Sequence, residues 1–181
     1  MEFIISEAEQ LKNISDHLLD EAFLRENKID LTKTDVSKMI IGVVKKFSVS
    51  VLESEIKLYA DVKGYITLNC DKLLIELLLC NLVSNAISAC RGKGTVLIAC
   101  EKKDNAVVLS VSDNGIGMTQ EQIAHITEPF YRVDKSRSRN EGGTGLGLSL
   151  CKRIAESHQA KLEFDSAIGV GTKVIVTFTK P

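Results

Sequence analysis

Four glycines, Gly142, Gly143, Gly145 and Gly147, fall within Glu141-Gly-Gly-Thr-Gly-Leu-Gly-Leu-Ser149 and run directly into Leu146, Leu150 and Ile154, apolar positions four residues apart with charges between them. Glycine is costly to order inside a regular element, so this density forces a loop, and the spacing that follows it marks a helix. A loop feeding a helix start offers free backbone amides and the positive end of a helix dipole, which suit an anion such as phosphate. The pattern is not the dinucleotide fingerprint, because Leu150 stands where a third glycine belongs, and no Gly-Lys-Ser/Thr follows to make a P-loop. By itself a plain flexible linker explains the stretch equally well.

The remaining composition narrows the classes. A chain of 181 residues with 44% hydrophobic content and two prolines can bury a core, and its length favours one domain plus an appendage. The net charge of −1 provides no global field to recruit nucleic acid, so any anion site is local. Five cysteines occur without a Cys-x-x-Cys pair and read as free thiols of a reducing cytoplasm. No uninterrupted apolar run approaches a membrane span, and the first twenty residues carry too many acids for a signal peptide; the anchor of a membrane-bound parent would lie outside this sequence.

Along the chain, Ile4, Ala8, Leu11, Ile14, Leu18 and Ala22 make one apolar stripe on a polar helix, read here as a bundle seam. A short strand is expected at Ile29–Leu31, then a helix from an Asp35 N-cap to Phe47, and strands near Glu55–Ala60 and Tyr65–Asn69. Asp71 caps a long helix bearing Leu74, Leu78, Asn81, Leu82, Asn85 and Ala86 on or near one face. After a Gly92-Lys93-Gly94 turn come alternating strands at Thr95–Glu101 and Ala106–Asp113, which put Val107, Leu109, Val111 and Asp113 on one side. A short helix near Gln120–Ile126, a polar stretch from Glu128 to Asn140, the glycine loop with its helix to Ser157, and strands at Lys161–Asp165 and Lys173–Thr179 complete the order.

Three groups can carry chemistry. Asn81 and Asn85 lie one helical turn apart, where a carboxamide oxygen can complete the coordination of Mg2+ without adding charge beside phosphates, or where the two amides merely satisfy each other in a helix interface. Asp113 ends a buried strand face and can accept a hydrogen bond from the exocyclic amine of adenine, although Asp-Asn-Gly is also strong turn sequence. Arg132, Lys135, Arg137 and Arg139 precede the glycine loop and can close over a triphosphate or form a solvated charge run.

The order Asn81-Leu-Val-Ser-Asn85-Ala86, Asp113-Asn-Gly-Ile-Gly-Met118, Glu128-Pro-Phe-Tyr-Arg132, Gly143-Thr-Gly-Leu-Gly-Leu148 and Gly169-Val-Gly-Thr172 resembles the catalytic, ATP-binding domain of sensor histidine kinases, of the GHKL superfamily, with its N, G1, F and G2 boxes. The resemblance covers about residues 28–181 and implies a Bergerat α/β two-layer sandwich, a mixed sheet with helices on one face, preceded by an N-terminal helix. Residues 1–26 are then the remnant of a dimerisation bundle. It implies ATP and Mg2+ as cofactors, with Asn85 the metal ligand, Asn81 its helper and Asp113 the adenine reader. Gly115 and Gly117 flank the base. Gly143, Thr144, Gly145, Leu146 and Gly147 meet the phosphates. Phe130 to Arg139 form a lid in which Arg132, Lys135 and Arg137 face the triphosphate.

The implied activity is transfer of the γ-phosphoryl group to a histidine, and from there to a response regulator. The implied partners are the phosphoacceptor helix bundle of the parent kinase and a second copy in a full-length homodimer, with no nucleic acid. His17 is followed by leucine with no proline near, so the acceptor lies outside this sequence, and His17, His125 and His158 read as ordinary surface or packing residues. Ser88 and Ala89 stand where relatives carry a lysine and a ring, so a phosphate cation and a base-stacking group are missing. Arg91 is the expected replacement for the charge. Ala160 stands in place of a second glycine after the last helix. Two other readings stay open: a non-catalytic ATP-sensing module, and an anti-sigma-factor-type serine kinase of the same superfamily.

Overall fold

The computed structural model describes residues 29–133 and 144–179; the expected N-terminal helix and the segment 134–143, with Lys135, Arg137, Arg139 and Gly143, lie outside the described residues. Strand β1 (Thr32–Asp35) leads into helix α1 (Val36–Ser50). Asp35 caps that helix as expected, its carboxylate accepting the Lys38 N–H at 3.1 Å. The strand lies three residues later than the sequence reading placed it. It pairs antiparallel with β3 (Thr67–Cys70), from Thr32 opposite Cys70 to Asp35 opposite Thr67. Leu31 would face Asp71, which has already turned to cap the next helix, so the ladder cannot extend toward Ile29.

Helix α2 (Lys72–Ala89) starts at Asp71, whose Oδ1 accepts from the amides of Leu73 and Leu74 at 3.1 and 3.2 Å. It buries Leu74, Ile75, Leu78, Leu79, Leu82, Val83 and Ala86, a distribution too wide for a surface stripe and characteristic of a central helix. By length and composition α2 is apolar enough to cross a membrane, although Lys72, Glu76, Asn81 and Asn85 keep it from being an uninterrupted apolar run. Here its apolar side chains pack against strand β5 (Ala106–Asp113) and helix α4 (Gly147–Ser157), two elements remote in sequence.

The main sheet runs β2 (Glu55–Val62), β4 (Lys93–Lys103), β5, β7 (Gly171–Thr179), β6 (Lys161–Ala167). The β2–β4 pair is parallel and the other three are antiparallel, so the sheet is mixed. Lys93 and Gly94 belong to β4 and not to a turn, because β2 pairs with them from Glu55 onward. Val96, Ile98 and Cys100 of β4, Val107, Leu109 and Val111 of β5, and Val174, Val176 and Phe178 of β7 form the buried face under α1, α2 and α4. The opposite face, with Leu97, Ala99, Val108 and Ile175, carries no helix among the described residues. This is the expected two-layer α/β sandwich. All five cysteines are free, and burial raises their thiols, Cys100 to about 11, so none presents a reactive thiolate.

One side chain ties the far ends of α2 and α4 together. His158, which caps α4, lies 2.8 Å through Nδ1 from the Ile154 carbonyl, and its Nε2 accepts the Asp71 N–H at 3.0 Å. A carbonyl only accepts, so Nδ1 carries the proton and the ring is held in one tautomer. His158 is thus a packing histidine, as expected. After it, Gln159 takes the left-handed conformation that closes the helix, with the Ala160 N–H on the Ala155 carbonyl at 2.8 Å. Replacing His158 by alanine removes both bonds and leaves the Asp71 amide unpaired; urea denaturation should show a loss of about 1–2 kcal/mol.

Candidate functional site

The C-terminal half of α2, the ends of β5 and β7, and the loop after β5 enclose a cavity of about 180 Å3. Its wall is mostly aliphatic, from Leu82, Ala86, Val111, Ile116, Met118, Ile126, Leu148 and Val174, with Phe164 of β6 the one ring among the described residues. Pockets that engulf a drug-sized ligand run from roughly 300 Å3 upward, so this one has room for a single flat ring system but not for a larger ligand whole. Asn85, Asp113 and Thr172 provide its polar side chains.

Asp113 is anchored from two sides. Its Oδ1 accepts the Gly115 N–H at 2.8 Å and the Thr172 N–H at 3.3 Å. Burial pushes its carboxyl above the usual carboxylate range, and the two backbone amides oppose that rise. One oxygen is thereby committed to the fold, and Oδ2 has no hydrogen bond among the described residues, which equips it to accept from a ligand.

The loop Asn114–Met118 owes its course to backbone contacts. The Ile116 N–H donates to the Ala89 carbonyl at 3.1 Å, laying the loop on the end of α2. A Cβ at Gly115 would collide with that same carbonyl. A Cβ at Gly117, where φ is +65°, would collide with the carbonyl of Ala167. The space these glycines leave is therefore filled by protein backbone, and of the two only Gly117 lines the cavity. Asn114 Oδ1 accepts the Thr95 N–H at 2.7 Å and fixes the loop to β4.

The two asparagines separate in role. Asn85 is exposed and lines the cavity mouth. Asn81 is half-buried, donates to the Leu77 carbonyl at 3.0 Å, and presses its Oδ1 against Gly147, where a Cβ would sit 2.7 Å away. Gly147 opens α4, so Asn81 lies at the seam between α2 and the glycine loop. The N-cap of that helix is Leu146, whose side chain caps none of its amides. Thr144 Oγ1 accepts the Leu146 N–H at 3.3 Å. Gly145, at φ +73°, gives its carbonyl to the Phe130 N–H at 3.0 Å, and a Cβ there would meet the Phe130 backbone at 2.9 Å.

Phe130 itself has φ +63° and is 61% exposed as a residue. Helix α3 (Gln120–His125), with a Thr119–Gln122 capping box, precedes it. Arg132 is half-buried and engaged in the fold. Ala89 lines the cavity while Ser88 is exposed and does not; Arg91 is exposed in a left-handed turn, also outside the wall. Sequence reasoning missed Thr172 as an anchor of Asp113, although the Gly-x-Gly-Thr motif was in view. It missed the aliphatic wall altogether, since periodicity separates core from surface but not core from cavity.

Residues 70–181 match the family described as histidine kinase-, DNA gyrase B- and HSP90-like ATPases, and the chain belongs to that family. It is 35% identical over 181 residues to the sensor histidine kinase YkoH of Bacillus subtilis (strain 168), covering 99% of this chain but 39% of that protein. It is similar to the catalytic domain of histidine kinase ThkA in a nucleotide-free form, with a TM-score of 0.73, 26% identity, and coverage of 83% of this chain and 95% of that one. Histidine kinase ThkA in complex with the response regulator protein TrrA shares the fold, with a TM-score of 0.77 at 22% identity over 94% of this chain and 48% of that one.

Beside the site, His125 Nδ1 and Glu128 Oε1 are 2.8 Å apart, and the His125 ring lies 5.8 Å from that of Tyr131. The hydrogen bond and charge of Glu128 raise the His125 pKa. A histidine with a raised folded value contributes stability that is present below its unfolded pKa and lost as pH rises through the folded one. NMR titration of His125 should give a midpoint above the ordinary value near 6.5, and Glu128→Gln should bring it back down.

Proposed function

We propose that this chain is the nucleotide-binding catalytic module of a two-component sensor histidine kinase, which binds Mg-ATP and presents its γ-phosphoryl group to a histidine other than its own three. The observation that carries the reading is Asp113, held by two backbone amides in the wall of an aliphatic cavity of one ring system's size. Oδ2 of Asp113 accepts from the exocyclic amine of adenine, and the aliphatic wall takes the ring in place of the aromatic residue missing at Ala89. Asn85, at the mouth, offers a neutral carboxamide oxygen to Mg2+, with Asn81 as its helper on the same helix. Among the described residues no group of three His, Cys, Asp or Glu could hold a metal, which fits an ion bound chiefly by phosphate oxygens. The amides opening α4, with Thr144, Gly145, Leu146, Gly147 and Gly143 before them, face the phosphates. Arg132, Lys135 and Arg137 neutralise the triphosphate from the lid.

Phosphoryl transfer of this kind needs positioning and charge neutralisation more than a protein nucleophile, which is what such a cradle supplies. Residues 1–26 are the remnant of a dimerisation bundle and residues 28–181 the catalytic domain. The parent is a membrane-anchored homodimer whose bundle carries the acceptor, whose catalytic domain is cytoplasmic, and whose phosphohistidine supplies a response regulator. The reading is supported by the family match and by the 39% share of YkoH that the chain spans. Ala89 in the cavity wall and Ser88 beside it favour one competitor, an ATP-sensing module without transfer; label passing from [γ-32P]ATP to a separately made acceptor bundle distinguishes the two.

Calorimetric titration of ADP with and without Mg2+ tests the site. Asp113→Asn should weaken binding about tenfold or more, as expected for loss of a charged hydrogen-bond acceptor. Asn85→Ala should abolish the Mg2+ dependence while leaving metal-free binding in place. Unchanged affinity in both variants would move the nucleotide elsewhere.

A further inference from the structure

Ser166 of β6 is buried, 8% exposed, and does not line the cavity. Its hydroxyl nevertheless touches three groups at once. Oγ lies 2.8 Å from the Gly171 carbonyl oxygen and 2.9 Å from Thr172 Oγ1, and it accepts the Met118 N–H at 2.9 Å. Two oxygens this close need a proton between them. The Gly171 carbonyl has none to give, so the single Ser166 proton goes there. The proton in the Ser166–Thr172 contact therefore comes from Thr172. Ser166 donates once and accepts twice, which exhausts a hydroxyl.

The consequence falls on Thr172, which lines the cavity beside Asp113. With its proton spent on Ser166, the Thr172 hydroxyl can only accept. A carboxylate can only accept as well. We infer that Ser166 is a specificity-determining positioning residue: by taking the Thr172 proton it makes the Asp113–Thr172 edge of the cavity acceptor-only, so that the site takes a 6-amino purine and rejects a 6-oxo purine. This rests on the reading that a nucleotide base occupies the cavity. A 6-amino group brings two N–H donors to that edge. A 6-oxo group brings lone pairs against lone pairs, and polar atoms left buried without partners are what make a hydrogen-bonding site selective.

The test is calorimetric titration of ADP and IDP, each with Mg2+, against the full chain as wild type, Ser166→Ala, Thr172→Val and the double variant. The wild type prefers ADP. In Ser166→Ala the Thr172 hydroxyl is free to turn and donate to the 6-oxo group, and the preference falls about three- to tenfold, the worth of one hydrogen bond, mainly through tighter IDP binding. Thr172→Val also lowers the preference, and adding Ser166→Ala to it changes the ratio no further, because Ser166 acts only through Thr172. A serine that merely supports the loop would weaken both nucleotides alike; an unchanged ratio in Ser166→Ala overturns the proposal and leaves the base site standing. Where Ser166→Ala does not fold, Thr172→Ser, which keeps the hydroxyl, must retain the preference that Thr172→Val loses, and equal ratios in those two overturn it. A wild type that binds neither nucleotide overturns the base site and this proposal together.

Discussion

The fork of two backbone amides on Asp113 Oδ1 is the constraint on which the rest of the site depends. One amide belongs to Gly115, in the loop that β5 runs into, and the other to Thr172, near the start of β7 on the neighbouring strand. A single carboxylate oxygen thus sets the distance between the loop and the strand pair that flank the cavity. The sheet register brings them there: Asp113 faces Thr172 across the β5–β7 ladder and Val96 across β4. Burying a carboxylate is costly, and charge-assisted bonds from amides that need partners in any case offset that cost.

Around this fork the chain closes by backbone contact where a side chain would not fit. Gly115 lies on the last turn of α2, Gly117 on the β6–β7 turn, Gly147 on Asn81, and Gly145 on Phe130. Five separate segments are drawn together by these four joins, and each join passes close to the cavity or to the start of α4. The glycines that look in sequence like a ligand cradle are also, and in the loop after β5 chiefly, packing devices. The same logic explains Phe130, a non-glycine residue at positive φ whose amide is fixed by the Gly145 carbonyl. That bond joins the segment before residue 134 to the segment after residue 143.

Much of the fold was legible because its signals are local. Asp35 and Asp71 cap helices that begin where a short polar side chain meets an apolar period, and Val107, Leu109 and Val111 alternate as one face of a half-buried strand must. The misplacement of β1 has a non-local cause, since its end is set by Asp71 across the ladder. The sequence reading put the apolar positions of α2 on or near one face, and the helix buries Ile75, Leu79 and Val83 besides, because partners approach it from more than one side. Asn85 and Asp113 were legible as candidates from residue chemistry and spacing, and the structure brings both to one cavity. The distinct position of Asn81 at the α2–α4 seam was not, because four residues of spacing cannot say which neighbour a side chain meets.

By itself the sequence determined the elements, their caps, the loop-then-helix at Gly143–Ser149 and the set of residues able to hold a nucleotide. Each of those follows from interactions within a few residues along the chain. The tertiary structure alone decided which oxygen of Asp113 is spent on the backbone, which glycines admit protein instead of ligand, and where the Thr172 proton points. Those depend on the approach of β6, β7, α2 and the loop after β5. Hydrogen-bond direction is a property of all the partners a group meets, and the partners of Thr172 and Ser166 are set by the β6–β7 register and by Met118, forty-eight residues before Ser166 in the chain.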